Sequence, residues 1–417
     1  MASHQTHDTV IARFAAAAAQ AAFDTQKYIG MLDATAAALV DQNPGLGANY
    51  PIWVVPSGVY PEMYSRDSFW TLAGYWQKDF LSDYVMMFSR NAQGAGWSPP
   101  LNGEIPRFVR KNVPAPSDGR PTDESTLFWI IGAKLAGRTV ATEPYLTQAH
   151  SWLKALVTPQ GLAMVSHGWI DAWFPTSSAV VSANNQGLFA VALRALRDMG
   201  ETVSPDEIKA ADDAYRGLAS GGYLHAYLGS GAVDVSSLMG EALALYLWDD
   251  SILDDATVAG TVAKLAPTYY PDGDFLGFKC LSNPDGSYLD PSQFLSYANP
   301  DAGDYQNGGT WLLYDALALY AAARHDTTDG SVLASRLIAR LKSEVKYEYS
   351  SKEFLCSGGT CNSCTPTRCT CPGGACGPGS FDPARSGYGW NVFLKRLLLN
   401  REPFTNNSGG HVNGTHP

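Results

Sequence analysis

Two kinds of helical segment alternate along this chain, and that alternation limits its architecture more than any other feature. Six segments are apolar on most sides, and each is fed by a polar or Gly-containing loop: Ser65 to Trp76, Thr122 to Gly137, Asn184 to Gly200, Ser236 to Trp248, Gly308 to His325 and Gly387 to Asn400. A helix without a polar face belongs inside a larger assembly. Six amphipathic segments lie between them: Thr9 to Phe23, Asp79 to Ser89, Glu143 to Leu156, Pro205 to Leu218, Asp254 to Leu265 and Ser331 to Val345. Several open on start signals, namely Thr142-Glu143-Pro144, Ser204-Pro205-Asp206 and Asp254-Asp255. In such signals a side-chain oxygen or a proline suits the first turn, where backbone N–H groups lack partners.

Six buried helices paired with six amphipathic ones predict an all-α (α/α)6 toroid, with an inner apolar ring and an outer amphipathic ring. An open solenoid would show a fixed period and similar repeats, and these hairpins have neither. The 417 residues then form one catalytic-sized domain, 1–417, without an internal linker. The Pro/Gly-rich stretches Trp97 to Asp123 and Asp272 to Gln306 read as rim loops, because apolar helices resume on both sides. The loops entering the inner helices would meet at one end of the ring, in a single funnel.

Composition narrows the partners. A net charge of -11 argues against nucleic acid and anionic membranes, and no apolar run is long enough to cross a bilayer. The Ala-rich start is interrupted by Arg13 and reads as a helix, not a signal peptide. The 11 Trp and 21 Tyr suit a carbohydrate cleft or a large aromatic core. Cys280 stands apart. Cys356, Cys361, Cys364, Cys369, Cys371 and Cys376 crowd a loop insertion at 356–376 that has too little apolar material to hold itself together. Their spacing lacks two separated CxxC pairs, so disulfides are expected rather than zinc. With the glycosylation triplets at Asn406 and Asn413, this predicts a secreted protein or another oxidising compartment, the cytoplasm being the alternative. Oligomeric state is not legible.

The polar loops carry the candidate chemistry. YSRDSFW holds Tyr64, Arg66, Asp67 and Trp70; NGEIPRFV holds Glu104 and Arg107; PTDESTLFW holds Asp123 and Glu124. HGWIDAWF sets Asp171 between Trp169 and Trp173. A carboxyl between indoles suits a proton donor, because a partly dry site raises its pKa while aromatic faces bind a sugar ring. Asp171 also reads as a helix cap. DYQNGGTW holds Gln306, Asn307, Gly308 and Trp311, SSKEFL holds Glu353, and SGYGWN holds Tyr388 and Trp390. Plainer readings stand beside these. Arg66-Asp67 can be a helix-start ion pair, Asp123 and Glu124 first-turn acids, Trp311 and Trp390 core, and Asn307-Gly308-Gly309 a tight turn. His167 reads as structural. No phosphate loop, GxSxG or HExxH occurs, and no metal or cofactor is expected.

The order RDSFW, GEIPR, DESTLFW, GWIDA, YQNGGTW, KEFL, YGWN resembles the (α/α)6 inverting glycoside hydrolases. That group includes trehalases, processing α-glucosidases, glycosylglycerate hydrolases and the glucosidase domain of glycogen debranching enzymes. The likeness runs from about Tyr60 to Leu399. It implies that Asp171 is the general acid and Glu353 the general base, with Arg66 and Asp67 holding the first sugar between Trp311 and Trp390. Lys352 replaces the histidine common before the base. The Cys-rich insertion blurs that assignment, leaving Asp382 and Glu348 as rivals. The implied activity is exo-acting inverting hydrolysis of a small α-glucoside, or of the end of a short oligosaccharide. The alternatives are a phosphorolytic or epimerising enzyme on the same fold, or a silent carbohydrate-binding protein. An epimerase would need paired histidines, and only His167 of the 8 lies in a motif loop.

Overall fold

A computed structural model describes residues 24–42, 51–57, 62–75, 78–95, 100–110, 123–158, 179–295, 301–325, 335–342 and 388–398. It also describes the isolated positions 10, 12, 16–18, 44, 60, 164, 166, 167, 169, 170, 172, 173, 175, 355 and 357. Asp171, Glu353, Asp382, Glu348, the six clustered cysteines, Asn406 and Asn413 lie outside the described residues, as does the side chain of Asp123. The described chain is predominantly helical, with antiparallel two-stranded ribbons at the loops.

The apolar segments all form helices: α2 (Ser65–Tyr75), α4 (Asp123–Leu135), α6 (Ala183–Asp198), α8 (Met239–Trp248) and α10 (Leu312–Arg324). The sixth is a 3-10 turn, Gly389–Phe393, running into α11 (Leu394–Leu398). Burial explains their composition. Residues 183–196 of α6 and every residue of α10 are shielded from solvent. Each packs on the next: α2 on α4, α4 on α6, α6 on α8, α8 on α10, α10 on Gly389–Phe393, and that turn back on α2.

Glycine permits the closest crossings. A Cβ on Gly240 would stand 2.4 Å from the Cα of Gly187, so α6 and α8 meet backbone to backbone. A Cβ on Gly74 would stand 2.3 Å from the carbonyl carbon of Val392, where α2 meets the last turn.

The amphipathic segments supply α3 (Lys78–Arg90), α5 (Tyr145–Ala155), α7 (Pro205–Arg216), α9 (Asp255–Lys264) and a helical stretch at 335–342. Helix α7 shows why only one stripe is apolar: Ile208, Ala211, Asp212 and Tyr215 are buried against α6. Asp212 holds Arg194 of α6 in a two-pronged pair at 2.6 and 2.8 Å. Ser204 and Glu207 form a reciprocal capping box at its start, and Asp254 caps α9 through the Thr257 N–H at 2.6 Å.

One helix-start signal works without a side-chain cap, and one helix was not anticipated. Thr142-Glu143-Pro144 does not cap α5 through a side chain. Instead Glu143 is buried and accepts from Ser89 of α3 at 3.2 Å, while the Thr142 hydroxyl turns back on the Thr139 carbonyl. A further helix, α1 (Thr25–Leu39), packs on α2 and on Gly389–Phe393, with Asp24 as its cap. The expected amphipathic segment Thr9–Phe23 is helical at its described positions 10, 12 and 16–18.

The expected rim loops are partly paired. Phe108–Val109 lies antiparallel to Met63–Tyr64, and Leu281–Ser282 to Val233–Asp234. These ribbons fix the backbones that enter α2 and α8.

Candidate active site

The first turn of α2 carries Arg66 and Asp67, and both are committed to other helices. Asp67 is 3% exposed and accepts from the Tyr388 hydroxyl at 2.9 Å and from the Trp390 indole N–H. Burial pushes its carboxyl above the ordinary range, against the pull of Arg66 and these two donors. Arg66 forms an ion pair with Glu124 of α4 at 2.5 Å, and its guanidinium carbon lies 4.5 Å from the Trp390 ring centre. Adjacent charges on one turn thus fasten three neighbouring helix starts. The reading of Arg66-Asp67 as a local pair captures only the weaker contact, at 3.9 Å.

Aromatic rings line this end of the helices in an unbroken row. Phe108, Tyr64, Tyr60, Tyr388, Trp390, Trp311 and Trp169 follow one another at centroid separations of 5.2, 6.1, 6.3, 5.4, 5.2 and 5.4 Å. Trp311 and Trp390, expected as walls, meet at 31°. Arg107 sits over Tyr64, and its carbonyl accepts from the Ser65 N–H at 2.8 Å. The Glu104 carbonyl accepts from Tyr145 at 3.2 Å.

Two expected aromatic residues point elsewhere. Trp70 is fully buried among Phe69, Phe128 and Phe393, one helical turn from Arg66 but on the core side of α2. Trp173 packs on Tyr227 at 5.3 Å, so the two indoles around position 171 join different packing groups.

The loop 304–311 ties the site together. The Gln306 side-chain carbonyl accepts from the Ala172 N–H at 3.0 Å, and its amide donates to the Trp169 carbonyl at 3.1 Å. Four residues on, Thr310 exchanges two backbone hydrogen bonds with Leu355, at 2.8 and 3.0 Å. Ser357 binds the Gly303 carbonyl through its N–H at 2.9 Å and the Gly308 carbonyl through its hydroxyl.

The loop is itself tightly made. Asn307 donates to the Leu289 carbonyl at 3.1 Å. Gly308 has φ 91°, and a Cβ there would meet the Tyr288 ring at 2.7 Å. Tyr305 takes φ 38°, a backbone strain of the kind that collects at functional loops. The buried thiol of Cys280 donates to the Gln306 carbonyl at 3.2 Å.

Three buried polar residues here were not anticipated. Asp234 accepts the Trp169 indole N–H at 3.1 Å and both the N–H and hydroxyl of Ser236 at 2.8 Å. Burial raises its carboxyl to about 6 despite these donors. Asn185 donates to the His167 carbonyl at 2.7 Å and to Ser166 at 2.9 Å. Tyr314, in the first turn of α10, stacks 4.5 Å from Trp169 and 5.6 Å from Trp390. An Asp shortly before Ser-Ser reads as a helix cap, and a Tyr inside an apolar run reads as core. Neither sequence signal separates these residues from ordinary ones. Among the described residues, no group of His, Cys, Asp and Glu is arranged to hold a metal ion, and no helix is long and apolar enough to cross a membrane.

No protein-family model matches the chain, and no curated protein matches it. Solved structures match over most of its length. A GH63 mannosylglycerate hydrolase from Thermus thermophilus, in complex with Tris and D-glycerate, aligns at a TM-score of 0.54 and 14% identity, covering 89% of this chain and 100% of that chain. This chain has the fold of that glycosidase. A glycosidase variant in complex with glucose aligns at 0.53 and 16% identity, and a wild-type glycosidase at 0.52 and 14%, each covering 91% of this chain and 98% of its own.

Proposed function

We propose that the protein is a glycoside hydrolase built as a single (α/α)6 domain, exo-acting and inverting on a small α-glycoside. Asp171 is the general acid and Glu353 the general base. The observation that carries this reading is the double attachment of the loop 304–311. Gln306 holds Trp169 and Ala172, which bracket the acid, and Thr310 holds Leu355, two residues after the base. One rigid loop therefore governs both acid-bearing segments, as a reaction needing two carboxyls at a fixed separation requires. Inverting hydrolysis sets them about 6.5–9.5 Å apart so that a water fits beside the anomeric carbon. The structural relatives, one holding glucose and one D-glycerate with Tris, support a small carbohydrate ligand.

In this mechanism Asp171 is protonated beside Trp169 and gives its proton to the leaving oxygen. Glu353 removes a proton from the water that attacks the opposite face. Asp67 and Arg66, fixed by Tyr388, Trp390 and Glu124, present charge to the ring hydroxyls without reorganising during the reaction. The aromatic row takes the apolar face of the sugar.

The test is to assay Asp171→Asn and Glu353→Gln on aryl α-glucosides and α-mannosides. Each is expected to cut turnover by about 10²–10⁴-fold with little change in melting temperature. Near-normal turnover in Glu353→Gln, with loss in Asp382→Asn, would move the base to Asp382.

A further inference from the structure

Tyr314 is 1% exposed, and its buried hydroxyl has no hydrogen-bond partner among the described residues. Five other buried tyrosines have partners: Tyr84 pairs with Ser65, Tyr145 with Leu101, Tyr215 with Ser237, Tyr388 with Asp67, and Tyr320, on the same helix, with Arg324. Phenylalanine would fill the same volume without burying a polar group, so an orphan phenol needs a reason.

Its position supplies one. The ring lies in the aromatic row, 4.5 Å from Trp169, 5.6 Å from Trp390 and 6.4 Å from Trp311. Burial holds its proton on firmly. The charges of Arg66, Glu124, Asp234 and Asp67 all act on it, so it lies among the polar groups of the site and remains a donor at any working pH.

We infer that the Tyr314 hydroxyl donates a hydrogen bond to a ring hydroxyl of the bound sugar, and that Tyr314 determines which sugar the site accepts. This rests on the reading of the site as one for an α-glycoside. A donor buried for a substrate hydroxyl discriminates strongly, because a sugar lacking that hydroxyl, or presenting it with the other configuration, leaves the donor unpaired.

The experiment compares the wild type with Tyr314→Phe. Binding of D-glucose, D-mannose, their methyl α-glycosides and the monodeoxy-glucoses is measured by calorimetry, alongside melting temperature. The expected result is affinity for the accepted sugar about tenfold lower in the variant, with melting temperature unchanged or raised. One monodeoxy sugar should bind both proteins equally, which identifies the hydroxyl that Tyr314 reads. Equal affinity of both proteins for every sugar bound, or a variant that melts earlier or fails to fold, overturns the inference and makes the phenol structural. A wild type that binds none of these sugars overturns the proposed function first, and the inference with it.

Discussion

The Gln306 amide donates to the Trp169 carbonyl at 3.1 Å, joining residues 137 positions apart in the chain. The other end of the same amide accepts from Ala172. Replacing Gln306 with Ala removes both bonds and frees the segment around position 171, the proposed acid, from the loop. Misplacing a reacting group by about 1 Å costs on the order of 10²-fold. Steady-state kinetics of Gln306→Ala should show a loss of that size mainly in kcat, with KM little changed. A loss confined to KM would mean that Gln306 contacts substrate and does not position the proposed acid.

Asp234 gives a stability signature with a defined sign. Burial raises its carboxyl from 3.8 to about 6. Its contribution is therefore fully present below pH 3.8 and is lost as pH rises through about 6, because the folded state holds the proton longer than the unfolded one. The size is at most about 3 kcal/mol. Asp234→Asn keeps an acceptor for Trp169 and removes the titration. The stability gap between variant and wild type, followed by urea unfolding from pH 4 to 7, should move in the variant's favour as pH rises. A pH-independent gap would mean that Asp234 is ionised throughout.

His325 gives the same sign in a higher window. Its ring bridges Glu241 at 2.7 Å and Asp255 at 2.8 Å. Burial lowers its pKa, but the hydrogen bond and charge of Glu241, joined by Asp255, outweigh that and raise it above 6.5. The stabilisation is present below the unfolded value and fades as pH climbs through the raised one. Urea midpoints of the wild type should fall relative to His325→Asn between pH 6 and 9, and parallel curves would contradict the ion pair.

Two glycines separate a packing requirement from a helix preference. Gly240→Ala places a methyl group against the Gly187 backbone and should cost about 1–3 kcal/mol or more. Gly30→Ala in α1 meets nothing within 4 Å and should stabilise by about 0.5–1 kcal/mol. Opposite shifts in melting temperature are the check.

These contrasts show what the sequence could and could not convey. The inner helices were legible because α6 and α10 are buried on every side, so their apolar character is continuous. Helix α1 was not, because its buried stripe includes Thr35 and Ala36, small residues that carry little hydrophobic signal. The pairing of Arg66 and Asp67 was visible as adjacency. Its real partners, Glu124, Tyr388 and Trp390, arrive from other helices. Trp70 and Trp390 have the same side chain in similar apolar settings, and only packing separates the core residue from the one in the row. Tyr314 is set apart by its place in the aromatic row and by a buried hydroxyl with no partner among the described residues, both tertiary facts.

Inversion is the most exposed part of the account. Hydrolysis of an aryl α-glycoside by the wild-type protein, followed by proton NMR from the first minute, should release the β-anomer first, with the α-anomer appearing only as the free sugar mutarotates. Release of the α-anomer first would contradict the pairing of acid and base across a water.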